Sequence, residues 1–342
     1  MQAITTALKA LSIGEAQQFR NLTAFPLLNP QAGQPDYITL SEAVGKGSAR
    51  ITELSEGGSV PQLLLDNSGE HKVLILDGEE LIGAKQNRIA NLTILADAHS
   101  KIVLPVSCVE HGRWNYRSAD FAVSERAMFN RARKAKTLAV SSNLKATGTY
   151  GGNQSEVWDH IAEKQMRMGV SSSTSAMGDT FEQHHQQIED YAEKFTPVEH
   201  QVGVMFAIDG EIEGMDLFDA ATTFAQMLPK LTRSFAIDAL ESHGELHEVA
   251  DASHASRFLD RVAVAKVDSY DGVGLGTDLR LAADLVAGGG LAEGDKLIHL
   301  AAFGLADPGA TGNRESIAQS RLNSRRYQRM RRRTNNDGNN EW

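Results

Sequence analysis

The chain is poor in cysteine and in long apolar runs, and each scarcity excludes a class of protein. A single cysteine, Cys108, excludes an intrachain disulfide and a cysteine-rich zinc knuckle. No window approaches the roughly 18 to 20 apolar residues that a membrane span needs, and residues 1–19 lack the basic and apolar segments of a signal peptide. We therefore expect a cytoplasmic protein in a reducing compartment, with no membrane partner.

Positive charge is also scarce over most of the chain. Lys and Arg number 34 against 44 Asp and Glu, which gives a net charge of −10 over 342 residues. Residues 321–342 hold seven Arg and two acidic residues, so this segment carries +5 and residues 1–320 carry −15. An acidic body argues against a general nucleic-acid binder. Contact with nucleic acid is expected only through the polar, Arg-rich tail at 308–342, which its composition predicts to be disordered.

Residues 1–120 are typical of antiparallel sheet. Short aliphatic runs at 73–76, 89–95 and 102–106 are separated by turns rich in Asp, Asn, Ser and Gly. Parallel βαβ units would need helices between such runs, and no helical pattern lies there.

Residues 121–200 have the pattern of a helical segment. Phe121 to Lys136 predicts a basic amphipathic helix, and its Arg and Lys residues are typical of a solvated face, although they could supply cations to an acidic ligand. Asn153 can cap a second helix that runs to Gly169. A very polar third helix is expected from Asp179 to Phe195.

Residues 201–307 combine strands with helices. Strands at 202–208 and 211–217 flank Asp209-Gly210, a hairpin signal. A helix follows from Asp219 to Ser242, which Pro229 should break or kink. Together with the preceding segments this predicts an α+β fold of mostly antiparallel sheets with packed helices and a disordered C-terminal tail.

The densest polar cluster in apolar surroundings is the run DGEELIGAKQNR at residues 77–88. If this run is extended, alternation places Glu80, Gln86 and Arg88 on one face. A carboxylate, an amide and a guanidinium there could form a hydrogen-bonding and general acid/base set. The alternative is a hairpin with a charged solvent face and internal Glu–Arg pairing.

A second cluster, residues 108–114, offers a thiol, a carboxylate, an imidazole and a guanidinium. Cys108 directly follows an apolar strand and is typical of a small core side chain. Glu110 and Arg113 are stronger site candidates, because a strand end delivers charged side chains to the rim of a sheet. No HExxH or similar ligand spacing occurs, so the sequence identifies no metal site and assigns no cofactor.

Glycines before the predicted second helix indicate an anion site. Gly151 and Gly152 lead into Asn153 and Gln154, where free amides and the helix dipole would favour an anion. The stretch is not a Walker A loop, because no Gly-Lys-Ser/Thr follows.

The two polar clusters lie in the run LILDGEELIGAKQNRIANLTILADAHSKIVLPVSCVEHGRW. This run resembles the ARG- and rhodanese-phosphatase-superfamily-associated protein family, a domain of otherwise unknown function, and NQSEVWDHI and residues 202–240 are similar to it as well. The resemblance implies a role in NAD or ADP-ribose metabolism, since the family is named for its association with ADP-ribosylglycohydrolases. The positions that match are Glu79, Glu80, Lys85, Gln86, Asn87, Arg88, Glu110, Arg113 and Trp114.

The first functional hypothesis is an enzyme that acts on an ADP-ribose-like or other phosphorylated, nucleotide-derived ligand. Lys85, Arg88 and Arg113 would hold phosphate. Trp114 or Tyr116 would stack on a base. Glu80 or Glu110 would act as the general base. The alternatives are a non-catalytic module that binds a ligand or a protein, and a homo-oligomeric assembly protein whose tail contacts an acidic partner.

Overall fold

The computed structural model describes residues 2–242 and 249–306, so the predicted Arg-rich tail lies outside the described residues. Within these ranges the chain forms eight helices. They are α1 (Gln2–Lys9), α2 (Leu40–Gly45), α3 (Asn130–Thr147), α4 (Gln154–Arg167), α5 (Met177–Gln183), α6 (His185–Ala192), α7 (Ala221–Glu241) and α8 (Ala252–Ala263). No helix in the described ranges combines the length and apolar character needed to cross a lipid bilayer.

The same residues form eighteen strands. In the first 130 residues they are β1 (Ser12–Ile13), β2 (Gln17–Phe19), β3 (Leu22–Leu28), β4 (Tyr37–Thr39), β5 (Ala49–Glu53), β6 (Gln62–Asn67), β7 (Lys72–Ile75), β8 (Glu79–Gly83), β9 (Arg88–Ala90), β10 (Ile94–Ala96), β11 (Ser100–Cys108) and β12 (Phe121–Ala127). Later come β13 (Gln201–Ile208), β14 (Glu211–Phe218), β15 (Lys266–Asp271), β16 (Thr277–Ala283), β17 (Val286–Glu293) and β18 (Lys296–Gly304).

These strands assemble into three sheets in the described part of the chain. A nine-stranded sheet has the order β1-β3-β13-β14-β18-β17-β16-β15, with β2 also paired to β3. A six-stranded sheet runs β12-β8-β9-β11-β6-β5, and a three-stranded sheet runs β10-β7-β4. Every pairing is antiparallel except that of β4 with β7. The predicted α+β class with mostly antiparallel sheets is therefore confirmed.

Several local predictions are confirmed because their signals act over a few residues. The Asn153 side chain accepts a hydrogen bond from the Glu156 amide and caps α4. Asp209 and Gly210, with φ of 50° and 84°, form the turn between β13 and β14. Both values are positive, as a tight hairpin turn requires.

The helix predicted from Phe121 to Lys136 is wrong in its first half. Residues 121–127 form β12, which pairs with β8, and α3 begins only at Asn130. Pairing satisfies the backbone and buries Phe121 and Ala127, which outweighs the helical pattern of the sequence. The predicted helix 179–195 is two helices, α5 and α6.

Pro229 does not break its helix. The helix α7 runs without interruption from Ala221 to Glu241 with Pro229 inside it. Fourteen of its residues are buried, so packing outweighs the loss of one backbone hydrogen bond.

Arg133 and Lys136 of α3 do not lie on a solvated face, contrary to the sequence prediction, whereas the Arg131 side chain is 40% exposed. Arg133 is buried and donates to Asp77 in the β7–β8 turn at 3.0 Å and to both oxygens of Asp216 on β14 at 2.9 and 2.6 Å. His299 on β18 contacts Asp216 through Nε2 at 3.1 Å. Lys136 is buried and binds Asp77. We define the central ion network as Arg133, Lys136, Asp77, Asp216 and His299. It links β14 and β18 of the nine-stranded sheet to α3 and to the β7–β8 turn.

Mutual pairing is what makes the central ion network tolerable in the interior. Burial acts to raise the pKa of Asp77, but the charges of Lys136 and Arg133 outweigh it and hold that pKa below its usual range. Burial also lowers the pKa of Lys136 to about 8 despite the attraction of Asp77. The charged states of Asp77 and Asp216 therefore depend on their buried cationic partners.

Replacing Arg133 with methionine should strongly destabilise the fold. Arg133→Met leaves Asp216 and Asp77 buried without their guanidinium, and breaking a buried pair costs about 3–5 kcal/mol. Urea unfolding measures the loss. Arg50→Met is the matched control, because the Arg50–Asp120 pair is 61% and 44% exposed and such a pair contributes about 0–1 kcal/mol. Equal losses in the two variants would contradict a structural role for the network.

Candidate functional site

The two predicted polar clusters lie on neighbouring strands. The β8–β9 hairpin carries residues 79–90, and β9 pairs with the end of β11 so that Arg88 stands opposite Cys108. The sheet register therefore brings residues about 20 positions apart in sequence into direct contact.

The first cluster is a hairpin, but its charges do not face solvent. Gly83 and Ala84 have φ of 140° and 38°, so the alternation of an extended strand stops there. A Cβ on Gly83 would lie 2.6 Å from the Asp120 carbonyl oxygen, so this close turn requires glycine. Glu80 and Arg88 are both fully buried, which excludes the charged solvent face of the alternative interpretation.

Glu110 is the centre of a network in which its carboxylate accepts hydrogen bonds from three residues. Its Oε2 accepts from Arg113 Nη2 at 2.6 Å and from the Asn87 amide at 3.2 Å. Its Oε1 accepts from the Thr174 hydroxyl at 3.0 Å. Gln86 donates to the Glu110 carbonyl oxygen at 3.0 Å. We call these residues the Glu110 network.

Arg113 also donates its hydrogen bonds to other groups of the protein. It donates to the Ala84 carbonyl at 2.6 Å, to the Asn115 carbonyl at 2.9 Å and to the Asn87 side chain at 3.0 Å. Burial acts to raise the pKa of Glu110, but the hydrogen bonds from Arg113 and the Asn87 amide hold it below the usual range. In this conformation Glu110 is an ionised carboxylate that accepts three hydrogen bonds.

Glu80 has a different environment. It accepts from Arg126 Nε at 3.1 Å through one oxygen, while its Oε1 is buried without a hydrogen-bond partner. Arg126 also pairs with exposed Glu182 at 2.5 Å. Burial raises the pKa of Glu80, and the opposing charge of Arg126 does not cancel this. A carboxyl group with a raised pKa and one free oxygen can act as an acid or a base.

Glu79 points to the other side of its strand. Its Oε1 accepts from Lys230 of α7 at 2.6 Å, and its Oε2 accepts from the Leu76 amide at 3.1 Å. Glu79 is therefore separated from the Glu110 network by the alternation of β8.

Lys85 lies beside two aromatic side chains at the outer end of the hairpin. Its ammonium group is 5.2 Å from the Trp114 ring centre and 5.1 Å from that of Tyr116. Trp114 is 44% exposed and Tyr116 is 51% exposed, whereas Lys85 is buried. We call these three residues the aromatic shelf. Arg117, whose side chain is 61% exposed, follows directly and lies 3.9 Å from Glu110 Oε1.

Arg88 lies below the aromatic shelf and is only partly bonded. Its Nε donates to the Val60 carbonyl at 3.2 Å and its Nη1 to the Gln86 side chain at 3.1 Å. Its Nη2 is buried without a hydrogen-bond partner. Burial lowers the pKa of Arg88, and its Cζ lies 5.9 Å from the Trp114 ring centre.

The predicted anion site at the start of α4 is engaged by protein groups. The Gln154 side chain accepts from the Cys108 amide and donates to the Cys108 carbonyl, both at 2.8 Å. A Cβ on Gly152 would lie 2.7 Å from the Ser107 hydroxyl, so glycine permits this close approach. The Gly151 carbonyl accepts from Asn143 at 2.6 Å. These residues dock α4 onto the end of β11.

Cys108 is a buried thiol in this region. Its Sγ lies 3.2 Å from Gln86 Oε1, and burial raises its pKa. The thiolate, which is the reactive form, is therefore disfavoured.

Thr174 and Glu53 are not among the residues predicted from the sequence, and Arg126 is predicted only as a cation on a solvated helix face. Thr174 and Arg126 come from distant segments, and Glu53 stands at the end of β5. Only the sheet register and the loop paths bring them together, and spacing along the chain carries no signal for either. Within the described ranges, no group of three or more His, Cys, Asp or Glu side chains is arranged to hold a metal ion.

An open groove of about 640 Å³ lies elsewhere, between the end of α3 and β15. Its lining contains none of the predicted site residues. The exposed side chains beside the two clusters include Trp114, Tyr116 and Arg117, whereas Lys85 is buried.

Replacing Glu110 with glutamine should destabilise the protein in a pH-dependent way. Glu110→Gln leaves buried Arg113 without its counter-charge, with an expected cost of about 3–5 kcal/mol at neutral pH. The native pKa of Glu110 is depressed, so its stabilisation is present above the unfolded pKa of about 4.3 and is lost as pH falls through the native value. Urea unfolding from neutral pH to about pH 3 should show the two proteins converging.

The control for this experiment is Glu199→Gln, because the Glu199 side chain is 88% exposed. It should match the wild-type protein at every pH. A Glu110→Gln deficit that stays constant across this range would contradict an ionised Glu110.

Comparison with known proteins gives one match. The profile of the ARG and Rhodanese-Phosphatase-superfamily-associated Protein domain matches residues 10–303. Neither a curated protein nor a solved structure matches the chain.

Proposed function

The chain belongs to the ARG and Rhodanese-Phosphatase-superfamily-associated Protein domain family, and on that premise we propose that it is a cytoplasmic protein that binds a nucleotide-derived anion such as ADP-ribose or NAD. The ligand would bind at the aromatic shelf, with its base on Trp114 or Tyr116 and its phosphate near Lys85 and Arg88.

The observation that carries this proposal is the half-exposed aromatic pair above two buried cations. A folded protein gains little by leaving an indole 44% exposed, whereas a base that stacks on such a ring contributes about 1–3 kcal/mol to binding. Lys85 and Arg88 carry cationic donors, which form the strongest hydrogen bonds to phosphate oxygens. Arg117 adds an exposed cation beside them.

Binding is favoured over catalysis by the state of the carboxylates. Glu110 is buried and held by Arg113, the Asn87 amide and Thr174, and its depressed pKa makes it a weak base toward water. Gln86, Asn87 and Arg113 are part of the Glu110 network. We expect them to keep the adjacent aromatic shelf in position. Gln154 supports the same region through Cys108, while Gly152 lies against Ser107 and the Gly151 carbonyl accepts from Asn143.

Hydrolysis of such a ligand is a second candidate function, and Glu80 favours it. This carboxyl group has a raised pKa and one unpartnered oxygen, which suits a general acid or base. Homo-oligomerisation and contact of the tail with an acidic partner stay predictions of the sequence.

Ligand binding should raise the thermal stability of the wild-type protein and depend on Trp114. A ligand at 100 times its dissociation constant adds about 2.7 kcal/mol of stability. We expect a shift in melting temperature with ADP-ribose, NAD or AMP, and a loss of roughly tenfold or more in affinity for Trp114→Ala. Calorimetry measures the affinity.

Met166→Ala is the control for Trp114→Ala, because Met166 is a large apolar side chain that is 61% exposed on α4. It should bind the ligand as the wild-type protein does. If none of these nucleotides shifts the melting temperature, the nucleotide proposal is wrong.

Glu80→Gln tests the catalytic candidate. If Glu80 transfers the proton, this variant should lose about 10²- to 10⁴-fold in the rate of ADP-ribose or NAD hydrolysis while it still binds the ligand. Chromatography of the products measures the rate. Glu125→Gln, an exposed position on the same strand as Arg126, should be unaffected. Equal rates for Glu80→Gln and wild-type protein would contradict the role of Glu80.

A further inference from the structure

Glu53 is a buried acidic side chain that attracts Arg88 but makes no hydrogen bond within the described part of the chain. It ends β5 with 8% of its surface exposed, and neither of its carboxylate oxygens has a hydrogen-bond partner. A buried carboxylate without partners costs free energy unless another molecule supplies them. Its position therefore points to a ligand rather than to stability.

Glu53 opens onto the same point as the aromatic shelf. A Cβ built on Gly58 would lie 3.4 Å from Glu53 Oε2, 3.4 Å from Trp114 Cζ2 and 3.1 Å from Lys85 Cδ. Side chains from the end of β5, the β8–β9 turn and the loop after β11 thus converge on one glycine. Arg88, with its own unpartnered Nη2, lies 5.9 Å from the same indole.

Residues 54–61, which we call the strap, cover this point. The Glu56 and Gly57 carbonyls accept from Lys85 Nζ, both at 2.6 Å, and the Val60 carbonyl accepts from Arg88 Nε at 3.2 Å. Three neutral carbonyls thus occupy donors that a phosphate would bind more strongly. The strap carries Gly57 and Gly58, and Gly58 has φ of 75°, where glycine moves with little strain.

We propose that Glu53 is a specificity-determining residue that accepts paired hydrogen bonds from the vicinal hydroxyls of a ribose, and that the strap lifts to admit this ribose. The inference rests on the proposed function and deepens it. Phosphate then replaces the strap carbonyls on Lys85 and Arg88. Base, ribose and phosphate each meet the chemistry that recognises them: an indole face, a carboxylate with two free oxygens, and two cations.

Calorimetry with AMP and 2′-deoxy-AMP tests the role of Glu53. Wild-type protein should prefer AMP by roughly tenfold or more, because removing a hydroxyl leaves a buried charged acceptor unpaired. Glu53→Gln should weaken AMP binding by roughly tenfold to a hundredfold and lose most of this preference. Glu56→Gln, an exposed strap residue that binds Lys85 only through its carbonyl, is the matched control and should behave as wild type.

Thermal unfolding without ligand separates a recognition role from a structural one. Glu53→Gln should melt close to the wild-type temperature, because it loses no hydrogen bond within the described part of the chain and removes only the attraction between Glu53 and Arg88. A fall of several degrees would show that Glu53 serves the fold and would overturn the proposal. Hydrogen exchange at the strap should quicken when AMP saturates the protein, since a lifted strap loses the contacts of its carbonyls with Lys85 and Arg88.

The remaining outcomes distinguish the two proposals. Binding that depends on Trp114 but not on the 2′-hydroxyl or on Glu53 overturns the role of Glu53 and leaves the proposed function intact. Unchanged strap exchange with bound AMP overturns the lifting of the strap. Absence of binding by any nucleotide overturns both proposals together.

Discussion

The rest of the structure depends on the ion pairs that the Arg133 guanidinium group makes. This group bonds at once to Asp77 from the strand-rich first part of the chain and to Asp216 from the nine-stranded sheet. Three charges and their neighbours Lys136 and His299 are withdrawn from water at this point. Such an arrangement is stable only with its partners at the correct distances, so it specifies how the two parts of the chain pack.

The candidate site inherits its geometry from this network. Gly78 follows Asp77, and a Cβ there would lie 3.2 Å from Arg133 Cδ. The Gly78 amide donates to the Ala90 carbonyl at 2.9 Å, and the Gly78 carbonyl accepts from Met128 at 2.8 Å. The base of the β8–β9 hairpin is thereby held against β9 and the end of β12. These buried contacts at the base of the hairpin also help to fix the positions of the polar groups at its other end.

Much of the fold could be predicted from the sequence, because its strongest signals are local. Asp209-Gly210 determines a turn by the φ values it permits, and Asn153 caps α4 through an amide three residues away. The basic residues of α3 show the limit. Arg133 and Lys136 have the spacing of a solvated face, and only Asp77 and Asp216, far away in sequence, make them interior residues.

The same limit applies to the candidate site. The residues of the two polar clusters were identified from their composition and from the family resemblance, and the structure places Arg88 opposite Cys108 on adjacent strands. Glu53 was missed and Arg126 was predicted on a solvated helix face, because their surroundings depend on the sheet register and on the path of residues 54–61. An unpaired carboxylate has no signature in sequence; it is visible only once its neighbours are known.

The pairing of β3 with β13 has a consequence for how the chain reaches its native state. Leu22–Leu28 lie near one end of the chain, but their central partner is Gln201–Ile208. On a ribosome, β3 leaves the exit tunnel well before that partner exists, while β5 to β12 can already pair among themselves. Closing so long a loop makes this sheet slow to form. Until then β3 is an apolar strand with an unpaired edge. Chaperones bind exposed apolar segments of this kind.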